Sequence, residues 1–254
     1  MKLGNDTPAA AAAAGIALQD ICLQRGTTTV FNNLNLELGQ QRIGLVGDNG
    51  AGKSSLFRLL TGLDQPDRGV VRIHGHDARQ HRRALPDLVG LMFQNPDDQI
   101  IFPTVAEELA FSLSARGVTR AQARQQAEQF LQQRGLAAWA GRAIGELSQG
   151  QRQQVCLLAL QIKAPRTLLL DEPFASLDLI SQARLAHQIR ASTQQIILST
   201  HLLDHVRGFE RVIWLEHGAV RADGPGQLVC DAYAADAAGR AQREQAMQAA
   251  LENA

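Results

Sequence analysis

Residues Arg42 to Ser55 read RIGLVGDNGAGKSS. An apolar strand, Arg42 to Gly47, runs into a glycine-rich turn, and a helix is expected from Lys53 to about Thr61-Gly62, where glycine supplies the stop. Between them Gly47-Asp48-Asn49-Gly50-Ala51-Gly52-Lys53-Ser54 fits the spacing G-x-x-x-x-G-K-[ST]. The strand before and the helix after are the context that separates a phosphate-binding loop from a turn with a chance lysine. The glycines let backbone N–H groups curl round phosphates at a helix N-terminus, where the helix dipole favours anions. Lys53 is expected to reach the β- and γ-phosphates and the Ser54 hydroxyl to hold Mg²⁺, with Ser55 beside it in the nucleotide-contacting set.

About 120 residues later comes Leu168-Leu169-Leu170-Asp171-Glu172-Pro173. An apolar strand ending in carboxylates places them at the C-terminal edge of a sheet, beside such a loop. Asp171 suits the Mg²⁺ shell, and Glu172 suits a general base that polarises water. Taken alone, an Asp-Glu pair after a strand is more often a helix cap; the phosphate loop changes that reading.

Around these two elements the chain alternates strand and helix. IALQDICL and TTTVFNNLNLEL, from Ile16 to about Leu38, read as strands joined at Arg25-Gly26; GVVRIHG, LVGLMFQ, TLLLD, QIILST, VIWLEHG and AVRADG follow. Alternation of this kind implies a mostly parallel sheet with right-handed crossovers, an α/β fold. The segment from roughly 95 to 164 reads as helical. Thr104 with Glu107 and Thr119 with Gln122 both fit capping boxes, and Ala123, Ala127, Phe130 and Leu131 line one helical stripe. Residues 1–15, alanine-rich after Asn5-Asp6, read as a disordered leader and make a poor signal peptide. Residues 231–254 read as a helical tail without legible chemistry.

The bulk numbers exclude several classes. Lys+Arg and Asp+Glu both count 25, so charge gives no argument for nucleic acid or for an anionic membrane surface. Three separated cysteines, Cys22, Cys156 and Cys230, suit reduced thiols rather than disulfides or zinc. No apolar run approaches the ~20 residues of a membrane-spanning helix. His74, His76 and His81 lie close together without a carboxylate or cysteine to complete a metal set, and a polar hairpin is the plainer reading.

With these residues in place the sequence resembles the ATP-binding cassette (ABC) ATPases, from about Ile16 to Pro225. The resemblance implies a P-loop fold with a mostly parallel core sheet and flanking helices, an N-terminal antiparallel β subdomain, and a helical subdomain at about 95–164 inserted in one domain over 16–230. Leu147-Ser148-Gln149-Gly150-Gln151 resembles the family signature, whose usual form has glycine where Gln149 stands. The resemblance implies that Ser148, Gln149, Gly150 and Gln151 meet the ATP bound by a second subunit, with Ser148 and the backbone of Gly150 on its γ-phosphate. Should the backbone at Gln149 require φ > 0, a side chain there costs about 1 kcal/mol. Ser176-Leu177-Asp178 resembles the loop that crosses the dimer interface, which puts Asp178 near nucleotide. His201 ends a strand where the family keeps its γ-phosphate-sensing histidine, and Gln94 stands for the glutamine that joins the Mg²⁺ shell to catalysis. Where the family stacks an aromatic on adenine this chain has Arg25, so either its guanidinium stacks on the base or adenine is held loosely.

Two services suit such an ATPase. A soluble cassette in nucleic-acid repair or translation would carry a coiled-coil insertion or tandem cassettes with a basic linker. This chain has one cassette, no heptad run and zero net charge. A transport motor fits better. Gly90-Leu91-Met92-Phe93-Gln94-Asn95-Pro96-Asp97-Asp98-Gln99 resembles the glutamine loop of energy-coupling-factor importers of vitamins and of cobalt or nickel ions. DEPFASLDL and VIWLEHGAVRADG resemble the biotin-uptake branch most. That likeness implies a second ATPase subunit, a transmembrane coupling protein, a membrane-embedded substrate-binding subunit, no nucleic acid, and a peripheral location on the cytoplasmic face of the cell membrane. Ile100, Ile101 and Phe102 would then face the groove where the coupling protein docks; the alternative is that all three pack inward under the helix beginning at Thr104.

Overall fold

Apolar runs and alternating stretches become strands, and 3.6-residue stripes become helices. In the computed structural model, which describes residues 15–113 and 117–252, the order is β1 (Ile16–Arg25), β2 (Thr28–Leu38), β3 (Arg42–Val46), α1 (Lys53–Leu60), β4 (Arg68–Ile73), β5 (His76–Asp77), α2 (Leu85–Leu88), β6 (Val89–Met92) and α3 (Val105–Phe111). It continues with α4 (Arg120–Gln132), α5 (Gln149–Lys163), β7 (Thr167–Asp171), α6 (Leu179–Ala191), β8 (Gln195–Ser199), β9 (Arg211–Glu216), β10 (Ala219–Gly224) and α7 (Gly226–Glu252). The expected leader, apart from Gly15, lies outside the described residues.

Two sheets result. One is antiparallel, in the order β2-β1-β4-β5, and the other runs β10-β9-β3-β8-β7-β6. In the second sheet β9, β3, β8, β7 and β6 are parallel, and only β10 joins antiparallel. The sequence shows why. The inner strands β3, β7 and β8 are almost wholly buried apolar runs, as strands covered on both faces must be, whereas β2 largely alternates buried and exposed residues and β10 alternates half-buried and exposed ones. Leu168, Leu169, Leu170, Ile196, Ile197 and Leu198 are fully buried between layers. Truncating one of them to alanine costs about 2–5 kcal/mol.

The parallel strands share one C-terminal edge, and that edge carries Gly47, Asp171, Thr200 and Gln94 in the residues after β3, β7, β8 and β6. A separate apolar cluster joins α3, α4 and α5 through Val105, Leu109, Ala123, Ala127, Leu131, Val155 and Leu158. Phe130, expected on the same stripe, is only half-buried beside that cluster, with the Arg134 guanidinium 3.4 Å from its ring centroid. The Thr119–Gln122 capping box forms in full. The Thr104–Glu107 pair does not: the Thr104 hydroxyl donates to Glu107 Oε2 at 2.7 Å and makes no cap to the backbone of α3. Thr104 is also a β-bridge partner of Ala143.

The C-terminal helix starts earlier than the expected tail, at Gly226, directly after β10, and runs as one piece to Glu252. Its first turns are anchored by buried Val229 and Cys230. No helix of the described residues is long and apolar enough to cross a membrane.

Candidate nucleotide-binding and hydrolysis site

The turn between β3 and α1 takes its shape from residues that tolerate unusual backbone. Gly52 caps α1 with φ 106° and ψ 2°, and a Cβ there would come within 2.8 Å of the Phe31 ring. No side chain caps α1, so the first N–H groups of the helix are left to a ligand. Phe31, buried at 1% exposure, packs under the loop as a core residue. Lys53, itself 8% exposed, folds over its own loop and donates to the carbonyl oxygens of Gly47 at 2.6 Å and Asp48 at 3.0 Å. Burial lowers its pKa, while Glu172, Asp171 and Asp48 pull it back up. A lysine held at the loop by neutral carbonyl oxygens can exchange them for phosphate oxygens, which bear more charge.

This loop floors an open cavity of about 910 Å³. Gly47, Asp48, Asn49, Gly50, Gly52, Lys53, Ser54 and Ser55 line it, and Ala51 is buried just behind. Gln94, Asp171, Glu172 and His201 line the same space from the neighbouring strand ends. Glu172 is held between strands: its N–H donates to the Ser199 carbonyl at 2.9 Å. Its carboxylate accepts from His201 Nδ1 at 2.8 Å and from the His201 N–H at 3.3 Å. Glu172 and Ser176 are non-glycine residues at positive φ, 47° and 60°, a strain that concentrates where function over-determines the backbone. No sequence pattern signals it.

The cavity also gathers donors for a cation. The Ser54 hydroxyl, the Gln94 side-chain carbonyl and the Asp171 carboxylate are all oxygens, the set a small hard cation prefers. Arg25 sits on the rim with Thr28 and Thr29, but its guanidinium is paired with Asp64, which also takes two bonds from Arg58. That pairing holds Arg25 toward α1.

Ser148, Gln149, Gly150, Gln151 and Asp178 are elsewhere and do not line the cavity. Ser148 is the N-cap of α5 in a full capping box: its Oγ accepts from the Gln151 N–H, and Gln151 Oε1 accepts from the Ser148 N–H at 3.0 Å. Gln149 is the first residue of the helix proper and is absent from the positive-φ positions, so the suspected backbone cost does not arise. Gly150 has a packing reason of its own, because a Cβ would come within 2.5 Å of Ser181 Oγ on α6. Asp178 caps α6 by accepting from the Ser181 N–H at 2.7 Å, which holds its carboxyl below the usual range.

Within the glutamine loop the structure separates residues that the sequence groups. Gln99 Oε1 accepts from the Phe93 N–H at 3.2 Å and its amide donates to the Cys156 carbonyl at 3.3 Å, tying the loop to α5. Ile100 turns inward against the core, Ile101 is 70% exposed, and Phe102 is half-buried with its ring centroid 5.0 Å from that of Phe111. Buried Glu108, which carries no sequence signal, fixes this tip by accepting from the Ile101 and Phe102 N–H groups, both at 2.9 Å. His74 points to Thr167 at 2.8 Å, and His76 meets His81 edge to face, so the three imidazoles do not converge.

The largest surprise is α7. Tyr233 lines the cavity, and with Arg240 it reaches the side chain of Asp48 in the phosphate loop. Residues 231–254 are dominated by alanine, glutamine and scattered charge, and nothing in their order announces a role.

Known proteins resemble this chain in sequence and fold. The family model described as ABC transporter matches residues 31–175. The biotin transport ATP-binding protein BioM of Rhodobacter capsulatus is 45% identical over 220 residues, covering 87% of this chain and 94% of that protein. BioM of Rhizobium etli is 36% identical over 79% of this chain and 89% of that protein. Among solved structures, cbiO1 of Clostridium perfringens, part of the ABC transporter complex cbiONQ, superposes with a TM-score of 0.74 at 23% identity, covering 84% of this chain and 89% of that one. A phosphate loop, a strand-end Asp-Glu pair and a partnered histidine around one cavity, matched by this family over most of the chain, make the protein an ATP-binding ATPase of the ABC transporter family.

Proposed function

We propose that the chain powers an energy-coupling-factor importer, with biotin favoured as cargo ahead of cobalt, nickel or another vitamin. The observation that carries the reading is the Gln94–Phe102 loop, with Gln94 in the catalytic cavity and Ile101 and Phe102 at the surface beside α3. The extent of likeness to two proteins named for biotin transport supports the cargo. A soluble role in nucleic-acid repair or translation has no insertion or basic surface to support it.

On this reading one ATPase domain spans residues 16–230, with a helical subdomain at 95–164 and a helical tail over 231–254. Lys53 and the loop N–H groups hold the phosphates of ATP. Ser54, Gln94 and Asp171 would hold Mg²⁺, which when bound offsets the phosphate charge. Glu172 orients and deprotonates the attacking water; His201, already on the Glu172 carboxylate, fixes its direction and contacts the γ-phosphate. Ser148, Gln149, Gly150, Gln151 and Asp178 serve the ATP held by a second ATPase subunit, identical or paralogous. A hydroxyl offers one proton and two lone pairs, so Ser148 can accept from Gln151 and still donate to phosphate.

The groove of about 340 Å³ lined by Phe102, Ala110, Phe111, Val118 and Ala123, with the charged Glu107, Arg120 and Arg124 beside them, suits an amphipathic helix of the transmembrane coupling protein, which would hold the membrane-embedded substrate-binding subunit. The ATPase would then sit peripherally on the cytoplasmic face. The test is ATP-dependent uptake of labelled biotin by vesicles containing the co-expressed complex. Uptake that vanishes with Glu172→Gln and assembly that fails with Phe102→Asp, ATP binding intact, are expected. A chain that purifies only with soluble nucleic-acid factors overturns the transport reading.

A further inference from the structure

The phosphate loop contains a carboxylate in a place where negative charge is unwelcome. Asp48 follows the first glycine of the loop and lines the same cavity as Lys53, where anionic phosphates must sit. An unbalanced carboxylate there opposes the field that the loop's N–H groups and Lys53 create.

The structure balances it from outside the loop. Tyr233 OH donates to Asp48 Oδ1 at 2.9 Å, and Arg240 donates to both carboxylate oxygens, Nη2 reaching Oδ1 at 3.2 Å and Nη1 pairing with Oδ2. This is a two-pronged guanidinium–carboxylate contact with a hydroxyl added. Arg240 is itself set in place: its Nε donates to Asp236 Oδ2 at 2.8 Å, and Arg221 donates to Asp236 Oδ1 at 2.8 Å. The Arg221 guanidinium lies 4.2 Å from the centroid of the Trp214 ring, and Trp214 packs edge to face on Tyr233 with centroids 5.2 Å apart. Trp214 pairs with Val46, the last residue of β3 before the loop. The chain of contacts thus closes on itself: β9, β10, α7, phosphate loop, β3.

We infer that Arg240 and Tyr233 are positioning residues for the ATPase reaction, holding the Asp48 side chain neutralised and turned so that the phosphate loop accepts nucleotide. The reading rests on the phosphate-loop assignment and adds to it a role for a helix some 180 residues further along the chain. Arg240 also holds the Asp48 carboxyl below its ordinary value, with Tyr233 acting in the same direction, so Asp48 is ionised and needs the balance. The Tyr233 phenol, pushed up to about 12 by burial and by Asp48, stays a proton donor throughout the working range.

The experiment is equilibrium binding of MgADP and steady-state ATP hydrolysis by the full-length protein. Arg240→Ala is expected to weaken MgADP binding and raise KM for ATP about fivefold, as one uncompensated charge near phosphate should at physiological salt, with kcat changed less than twofold. Arg240→Lys should restore part of the loss. Asp48→Asn added to Arg240→Ala should return affinity to within about twofold of wild type, because the charge that needed balancing is gone. Wild-type affinity in Arg240→Ala, or a double variant as weak as the single, overturns the inference; the second result would mean that α7 acts only through folding. Lys53→Ala runs alongside: if it too binds nucleotide normally, the phosphate-loop assignment fails, and the two failures are told apart.

Discussion

Two helices of this protein begin with residues suited to phosphate, and they begin differently. Helix α1 starts after Gly52 in a left-handed conformation with no side-chain cap, and its first N–H groups face a cavity that also holds Lys53, Glu172 and His201. Helix α5 starts at Ser148 with its cap satisfied by Gln151, and that end faces away from the cavity. An open helix end takes its ligand directly, whereas a closed one presents a finished surface to something else. One chain therefore carries a floor and a catalytic wall at one helix and a capped end outside that cavity at the other. On the proposed reading, two chains placed head to tail would bring each capped end to the other chain's cavity.

The comparison is tested most severely at the cavity side. Glu172→Gln keeps the shape and removes the base, so turnover is expected to fall by about 10²–10⁴-fold while ATP still binds. The protein should then accumulate as an ATP-bound dimer, visible by light scattering. Near-normal hydrolysis would remove Glu172 from its role.

A mixing experiment separates the two helix ends. A Ser148→Arg chain and a Lys53→Ala chain should each be inactive alone. Combined in equal amounts, they should regain about a quarter of the activity per site, because half of the randomly paired dimers are mixed and one of the two composite sites in each pairs an intact loop with an intact signature. Activity that never returns on mixing would place Ser148 and Lys53 in the same site, against the geometry.

The phosphate loop, Asp171 and Glu172 were legible because their chemistry is local. A Gly-rich turn between strand and helix, and a carboxylate pair after an apolar strand, fix their own surroundings within a few residues. His201 and Gln94 are legible only through the family resemblance, and the structure sets them beyond the ends of β8 and β6 at one sheet edge. What stayed hidden depends on distant partners. Asp48 meets Tyr233 and Arg240 across 185 and 192 residues, and Glu108 is buried by a loop it caps from the following helix. The apolar tip reads as one unit in the sequence, yet Ile100 packs against the core while Ile101 is exposed. The positive φ at Glu172 has no signature because glutamate rarely adopts it and tertiary contacts must impose it.

The closed end of α5 can be probed without touching phosphate chemistry. Gly150→Ala should lower thermal stability, because the added methyl meets Ser181 on α6; overpacking of this kind costs about 1–3 kcal/mol. Ser181→Gly in the same chain removes both atoms that crowd it, and should recover the melting temperature. Activity that returns together with stability would mean that Gly150 matters for helix packing. Activity that stays low in the restored protein would mean that its backbone must approach a ligand, and the dimer reading gains.

The smallest effect is expected at Gln149, where the family usually has glycine. Gln149 is already helical, so Gln149→Gly relieves no strain and adds backbone freedom at the first helical turn. Melting should fall by the equivalent of about 0.5–1 kcal/mol, with turnover within about twofold of wild type. A large gain in turnover would show that the side chain obstructs the approach of a second subunit. The surface at α5 would then be closed by its own glutamine as well as by its cap, and the difference between the two helix ends would be one of regulation as much as of construction.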